Sequence, residues 1–434
     1  MYSQKVREKL QEEDIEIGDR IKTGTHEGQL MPKPSSGDQD ILTVKLDSGY
    51  NIGVQPKDLK LVEKHELKQG KQDKLEVEDS EDKEDVLILH TGGTIASRVS
   101  YEEGGVKPDF TEENMIRMYP DVVSEVNLDS EVVAEMLSED MEPKHWQEIA
   151  EKIHKVKDQY DGIIIGHGTD TMQYTGAALT FMLQNIDTGI VLVGSQRSSD
   201  RPSTDANMNL YSATKFLAET NYTGIAACMH ENIEDKRCQI MPASKIRKMH
   251  TSRRDAFQTI NTKPIAYIDY QEKEIENYEP TQNQEDYCFE KELEENVGYL
   301  KVRPGMTVKE VETVKKQNYN GLIIEGTGLG HMPVNSFDDK TQHHEKILET
   351  ISEIAEDTMV VMASQTINGR IDMDVYDAGY KIQEAGVISA QDMHPELAYV
   401  KAMWVLANTE SIEEARKTFQ ENLQNEINDR TLYK

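Results

Sequence analysis

The hydrophobic pattern of the chain changes character near residue 86. Before it, apolar and polar residues alternate in short runs. The first is Ile15-Glu16-Ile17-Gly18-Asp19-Arg20-Ile21-Lys22 and the second is Ile41-Leu42-Thr43-Val44-Lys45-Leu46. After a turn at Asp47-Ser48-Gly49, Tyr50-Asn51-Ile52-Gly53-Val54 repeats the pattern. Period-two alternation broken by turn residues predicts half-buried strands and hairpins. Residues 1–63 are therefore expected to form a small β module, an SH3-like barrel, ending near Val62. Residues 1–12 are charged and helix-permissive and are expected to be frayed. Residues 64–85 are almost all charged or polar, the composition of a solvated linker.

From Val86 onward short apolar runs alternate with helical patterns. Strands are predicted at Val86–Leu89, Gly162–Gly166, Ile190–Gly194 and Gly224–Met229. Helices are predicted between them, at Pro143–Gln159, Met172–Gln184 and Ser203–Glu219. This rhythm predicts parallel βαβ units, an α/β architecture with a doubly wound parallel sheet. The stretch 271–296 is acidic and irregular and reads as a connection. The rhythm restarts with a helix at Thr307–Gln317, a strand at Gly321–Glu325, a helix at Asp339–Glu356 and a strand at Met359–Ala363. Two helices, near Glu396–Leu406 and Ile412–Asn425, close the chain. The expected organisation is a larger α/β domain over 86–270 and a smaller one over 297–434.

Composition narrows the function classes. At 434 residues the chain is long enough for two or three domains. A net charge of −32 argues against a general surface for phosphate backbones, which are held mainly by Lys and Arg. Three cysteines, Cys228, Cys238 and Cys288, suit a reducing compartment and have no metal-site spacing. No apolar run reaches membrane-spanning length and the N-terminus has no signal-peptide core, so a cytoplasmic protein is expected. No metal site is expected; His343-His344 lacks carboxylate partners at fixed spacing. Gly326-Thr327-Gly328-Leu329-Gly330-His331 resembles a phosphate loop but has no Lys-Ser/Thr after it.

Chemistry concentrates at two strand ends. The first apolar run leads into His90-Thr91-Gly92-Gly93-Thr94-Ile95-Ala96, and the second into Gly166-His167-Gly168-Thr169-Asp170-Thr171. In an open α/β sheet, ligands sit beyond the carboxyl ends of the strands, and two such turns can share one crevice. Taken alone, the first turn is equally a tight structural turn or a phosphate cradle. Thr169-Asp170 alone reads best as a helix N-cap. Together they supply threonine hydroxyls and a carboxylate, and a threonine needs a base to become a nucleophile.

The two motifs in order resemble the paired signature of bacterial-type L-asparaginases and related glutaminases. Leu137-Ser138-Glu139-Asp140-Met141, Val193-Gly194-Ser195-Gln196-Arg197 and Asp205-Ala206-Asn207-Met208-Asn209-Leu210 extend the resemblance, which covers roughly Asp85 to Asn408. It implies an asparaginase-like fold. It also implies that Thr94 is the nucleophile and that Thr169, Asp170 and Lys248 form a second, activating cluster. Lys248 is placed by Lys248-Met249-His250-Thr251 with Phe257 and Asn261; apart from the resemblance it reads as a solvated lysine among Lys245, Arg247 and Arg253. Substrate contacts are implied for Gly93, Ser138, Glu139, Gly168 and Ser195. Backbone N–H groups at Thr94 and Thr169 are implied as an oxyanion hole. Tyr101, before Gly104-Gly105, is implied as a lid residue, and an ordinary loop tyrosine is the alternative. Ser138-Glu139-Asp140 alone reads as a solvated turn. Ser195 stands where alanine is usual, and Glu139 where glutamine is usual. Both change polarity near the substrate, so preference between asparagine and glutamine is not legible.

The added β module, Ser195-Gln196-Arg197-Ser198 and Ser252-Arg253-Arg254-Asp255-Ala256-Phe257 are similar to the asparaginase-type subunits of archaeal glutamyl-tRNA(Gln) amidotransferases. That resemblance implies a glutaminase supplying ammonia to a tRNA-binding transamidase partner. It implies no cofactor in this chain, with ATP and magnesium at the partner. A homodimer core within a heterotetramer is implied, the turn at 326–331 reaching the neighbouring subunit's site. The competing readings are a stand-alone asparaginase with an extra binding module and a non-catalytic scaffold.

Overall fold

A computed structural model describes residues 2–31, 38–46, 51–64, 80, 82–92, 97–99, 106–108, 119–197, 204–280 and 285–431. Five short strands build the N-terminal module: β1 (Arg20–Thr23), β2 (His26–Leu30), β3 (Leu42–Lys45), β4 (Asn51–Val54) and β5 (Lys60–Glu63). They pair antiparallel in the order β4-β3-β2-β1-β5. Alternation places Ile21, Leu30, Leu42 and Val44 inside. The N-terminal residues are not frayed. Ser3 caps a helix over Gln4–Glu12, whose Val6 and Leu10 join the module's core. The Tyr2 hydroxyl donates to Met31 O at 2.7 Å and accepts from Thr43 N–H at 3.0 Å. The charges lie on the outer face, and the inner face offers two apolar residues one helical turn apart.

The next strands are β6 (Asp85–Gly92), the hairpin pair β7 (Ser97–Val99) and β8 (Val106–Pro108), β9 (Asn127–Met136), β10 (Gly162–Gly166), β11 (Leu183–Gln184), β12 (Gly189–Val193) and β13 (Gly224–His230). β14 (Arg237–Pro242), β15 (Ile246–Lys248), β16 (Phe257–Thr259), β17 (Ala266–Asp269) and β18 (Glu274–Glu276) follow. The main sheet runs β18-β17-β14-β13-β12-β10-β6-β9. From β9 to β13 neighbouring strands are parallel, as the βαβ rhythm predicts. Beyond β13 the sheet turns antiparallel, which the pattern does not reveal. β9 is hidden in the pattern because it is an edge strand whose apolar residues do not alternate and are interleaved with Asp129, Glu131 and Glu135, charges that protect an exposed edge.

Both faces of the parallel strands are buried. Leu87, Leu89, Ile163, Ile165, Ile190 and Leu192 face one layer of helices, including Pro143–Val156 and Met172–Met182. Val86, Ile88, Ile164, Val191 and Val193 face the other, built on the helix Ala206–Glu219. Such two-sided burial explains why these strands read as continuous apolar runs.

The connection over 271–296 is less irregular than its composition suggests. β18 extends the main sheet, and β19 (Cys288–Phe289) pairs with β11. A second sheet follows, of β20 (Val297–Lys301), β21 (Gly321–Gly326), β22 (Met359–Ser364) and β23 (Ile388–Ser389), all parallel. Helices Val308–Lys315 and His343–Ala355 cover one of its faces. The helix Pro395–Ala407 covers the other and is buried almost all round. It packs against Met172–Met182, with Phe181 and Trp404 rings stacked at 6.0 Å. One hydrophobic core thus runs from the first α/β sheet into the second.

Candidate active site

The site lies at the carboxyl ends of β6, β9 and β10, where three turns are drawn together. The Thr91 hydroxyl, buried at the end of β6, donates to Gly166 O at 3.0 Å and ties the first turn to the last. Gly92 has φ +109°, and a Cβ there would lie 2.0 Å from Met136 O. Only glycine lets β6 and the end of β9 approach this closely. β9 then leads into the short helical turn Ser138–Asp140.

That turn meets the one after β10. A Cβ on Gly168 would lie 2.7 Å from Ser138 Cβ and 2.8 Å from Ser138 Oγ. Asp170 N–H donates to Ser138 Oγ at 3.3 Å, and the Thr171 hydroxyl donates to Ser138 O at 2.6 Å. The helix that follows takes Thr171, not Thr169 or Asp170, as its N-cap residue, and Thr171 makes no side-chain cap bond. The capping explanation of Thr169-Asp170 therefore fails, and their side chains are directed elsewhere. Lys248 Nζ donates to Thr169 Oγ1 at 2.8 Å and to Asp170 Oδ1 at 2.9 Å. Its side chain is only 10% exposed, whereas that of Asp170 is 64% exposed. Lys248 is not a free surface lysine. It reaches the threonine because β15 pairs with β16 and projects across the turn.

Ser138 is buried and Glu139 beside it is exposed. Ser195 also sits at this end of the sheet, after β12, but its hydroxyl is committed. It donates to Arg197 O and lies 3.1 Å from Asp205 Oδ1. Asp205 is fully buried and also accepts from the N–H groups of Gln196 and Arg197 and from Asn209 Nδ2. It holds the third turn in place, a role its sequence position does not disclose. Gly93, Thr94 and Tyr101 lie outside the described residues.

Each motif contains a histidine, and neither is placed as a base. Burial pushes His90 and His167 down to about 4, so both are neutral near pH 7. The His167 Nδ1–H donates to Gly168 O at 2.6 Å, a tautomer assigned from the acceptor facing it, and Thr175 Oγ1 lies 2.8 Å from Nε2. His90 Nε2 lies 3.0 Å from Ser130 Oγ. Their contacts brace the turns from within the sheet.

Other candidates find structural uses. Thr327 and His331 exchange backbone hydrogen bonds, closing a tight turn with no helix directly behind it. His344 Nδ1 lies 2.9 Å from Asn335 O. Cys228 and Cys238 are buried free thiols, and Cys288 is exposed. Among the described residues no cluster of His, Cys, Asp or Glu is suited to a metal ion, and no helix is long and apolar enough to cross a membrane.

Residues 85–282 match the family described as asparaginase, N-terminal, and residues 296–419 match the glutaminase/asparaginase C-terminal domain. Residues 15–64 match the GatD N-terminal domain. The GatD protein of the Pyrococcus furiosus glutamyl-tRNA(Gln) amidotransferase is 40% identical over 440 residues, covering 98% of this chain and 97% of that protein. The chain belongs to the GatD family of glutamyl-tRNA(Gln) amidotransferase subunits. The GatD of Methanobrevibacter smithii is 39% identical, covering 100% of this chain and 99% of that one. Among solved structures, the thermostable L-asparaginase from Thermococcus kodakarensis superposes with a TM-score of 0.70 at 31% identity. It is covered over 99% of its length but accounts for 79% of this chain. L-asparaginase I from Vibrio cholerae gives 0.66 at 25% identity, with 80% and 99% covered. The GatD relatives thus match the whole chain, whereas the asparaginases leave about a fifth of it without a counterpart.

Proposed function

We propose that this chain is the glutaminase subunit of a tRNA-dependent amidotransferase, releasing ammonia from glutamine for a partner that amidates Glu-tRNA(Gln). The observation that carries the reading is the contact of Lys248 with both Thr169 and Asp170, held against Ser138 at the mouth of the parallel sheet. A threonine, an amine and a carboxylate in one hydrogen-bonded set are what activation of a hydroxyl nucleophile requires. Full-length similarity to GatD relatives favours this over a stand-alone asparaginase.

In this reading the Thr94 oxygen attacks the side-chain amide carbon of glutamine. Its proton passes to the Thr169–Lys248 pair and then to the leaving nitrogen. The carbon–nitrogen bond breaks, ammonia departs, and a threonyl ester remains. Water then adds to the ester carbon and releases glutamate and the free threonine. Backbone N–H groups at Thr94 and Thr169 face the oxyanion. Asp170 and Glu139 hold the substrate's α-ammonium, and Ser138 its α-carboxylate, charge-assisted contacts that fix orientation. Gly168 allows the two turns to form one cradle.

The partner binds the charged tRNA and activates it with ATP and magnesium, so the phosphate-binding burden lies outside this acidic chain. The pair works in the cytoplasm, on a homodimer core whose 326–331 turn borders the neighbouring site. The deciding experiment replaces Thr94 by Ala and assays the complex with glutamine and, separately, with ammonium. Glutamine-dependent transamidation should vanish while the ammonium-dependent reaction persists. Loss of both would refute the role of ammonia donor, and ammonia release by the isolated chain unaffected by partner or tRNA would favour the stand-alone asparaginase.

A further inference from the structure

The strand that carries Lys248 is built by the first α/β domain and fastened to the second. Its residues alternate. Ile246 and Lys248 point one way, Ile246 into the core and Lys248 to Thr169. Arg247 points the other way, and it and Lys245, the last residue of the short helical turn before the strand, both end on one segment of the second domain. Lys245 Nζ meets Asp392 Oδ2 at 3.2 Å, with both side chains only 3% exposed. Arg247 Nη2 meets Glu396 Oε1 at 2.9 Å. Just before the strand, Ser244 O lies 3.2 Å from His394 Nε2, whose Nδ1 lies 3.0 Å from Glu396 Oε2.

The two ion pairs differ in kind. The Lys245–Asp392 pair is wholly buried, and Asn428 and Asn261 add further bonds to Asp392. It lies beside the hydrophobic core that already joins the domains. The Arg247 side chain is 23% exposed and its partner Glu396 11%, so this pair is nearer the surface than the first. Arg247 stands next to Lys248, and its partner Glu396 occupies the first turn of the helix Pro395–Ala407, where a carboxylate is favoured by the helix dipole. The same helix also meets Tyr174, whose ring packs edge-on against Tyr399 at 6.5 Å; Tyr174 belongs to the helix that begins just after Asp170 and Thr171. Both sides of the Lys248–Thr169 contact, the strand and the helix, are therefore referred to the same C-terminal helix, Pro395–Ala407.

We propose that Arg247 and Glu396 form a positioning clamp that seats Lys248 on Thr169 and makes its placement depend on the C-terminal domain. This rests on the reading of Lys248 as part of the activating cluster. Neither clamp residue touches substrate; both act through the strand. The clamp gives the C-terminal domain, and whatever binds it, a mechanical hold on the catalytic lysine. A shift of about 1 Å in a reacting group is enough to cost about 100-fold in rate.

The test uses the full-length chain in its native assembly with L-glutamine as substrate, reading kcat, KM and the thermal midpoint. Glu396→Gln and Arg247→Met should each lower kcat about tenfold or more while KM changes less than about threefold, because orientation and not binding is lost. Arg247→Lys should recover much of the kcat by keeping the cation, and the double variant should be no worse than either single one. Unchanged kcat in Glu396→Gln and Arg247→Met overturns the clamp. So does an equal loss in Arg247→Lys and Arg247→Met, or a loss that appears in KM instead. Should Arg247→Met not fold, Glu396→Gln and Arg247→Lys decide. Lys248→Met is the control. Full activity there refutes the site reading itself, whereas its inactivity beside normal clamp variants refutes the clamp alone.

Discussion

Gly168→Ala isolates the contact on which the site geometry turns. Its φ is not left-handed, so the backbone tolerates alanine and the effect is purely one of space. The added methyl would sit 2.7 Å from Ser138 Cβ, 2.8 Å from its Oγ and 3.3 Å from its N. Ordinary carbon contacts are about 3.5–4.0 Å, so the two turns must part by roughly 1 Å. Neither can yield freely, because the Thr171 hydroxyl bonds Ser138 O at 2.6 Å and Thr91 bonds Gly166 O at 3.0 Å. Overpacking of this kind costs about 1–3 kcal/mol of stability. The larger effect falls on catalysis, since displacing Thr169 and Asp170 from Ser138 by about 1 Å should lower kcat/KM about 100-fold. Ammonia release from glutamine and thermal unfolding, measured on the same preparation, separate the two. The double variant Gly168→Ala with Ser138→Gly removes the clashing Cβ and Oγ, so it should regain stability while KM stays raised for want of the serine hydroxyl. A single Gly168→Ala variant with kcat/KM within about threefold of the parent would refute the reasoning, since 1 Å would then not matter.

Other outcomes follow from buried charges. Lys401 and Glu426 form a fully buried ion pair, with Lys401 also donating to Glu421 O at 2.5 Å between the rings of Phe181 and Phe419. Lys401→Met leaves Glu426 uncompensated and should cost about 3–5 kcal/mol in denaturant unfolding, most of it regained on adding Glu426→Gln. Glu396 responds to pH. Burial alone would raise its carboxyl from 4.5, but the His394 hydrogen bond and charge and the Arg247 charge outweigh it and bring it down to about 2. A depressed carboxyl contributes stability that is complete above the unfolded value near 4.5 and is lost as pH falls toward 2. The contribution is about 3 kcal/mol. Stability of the parent should fall between pH 4.5 and 2 more steeply than that of Glu396→Gln, and parallel curves would contradict the assignment.

Legibility differs by region, for physical reasons. The strands β10 and β13 stand out because burial on both faces writes a nearly continuous apolar run, and the helices at Met172 and Pro395 because burial almost all round leaves few charges among their apolar residues. Strands β14 and β17 do not, because their partners supply the burial and their own residues are mixed. The N-terminal helix reads as frayed because two apolar residues among many charges look like noise until a sheet lies beneath them.

For the site, Thr91, Gly168, Thr169 and Asp170 are legible because close-approach glycines and hydroxyls cluster within single turns. The amino-acid order alone therefore determined the α/β class, the β module and the two strand-end turns, since each is encoded by neighbours a few residues apart. The family resemblance already grouped Lys248 with Thr169, but local pattern alone read it as a solvated lysine, and the tertiary structure supplies the contact and shows that Ser195 is held by Asp205. Only the tertiary structure decided that Arg247 spans two domains to reach Glu396. Those pairings join residues separated along the chain, and no local pattern records which distant carboxylate a buried cation will meet once the sheets have closed.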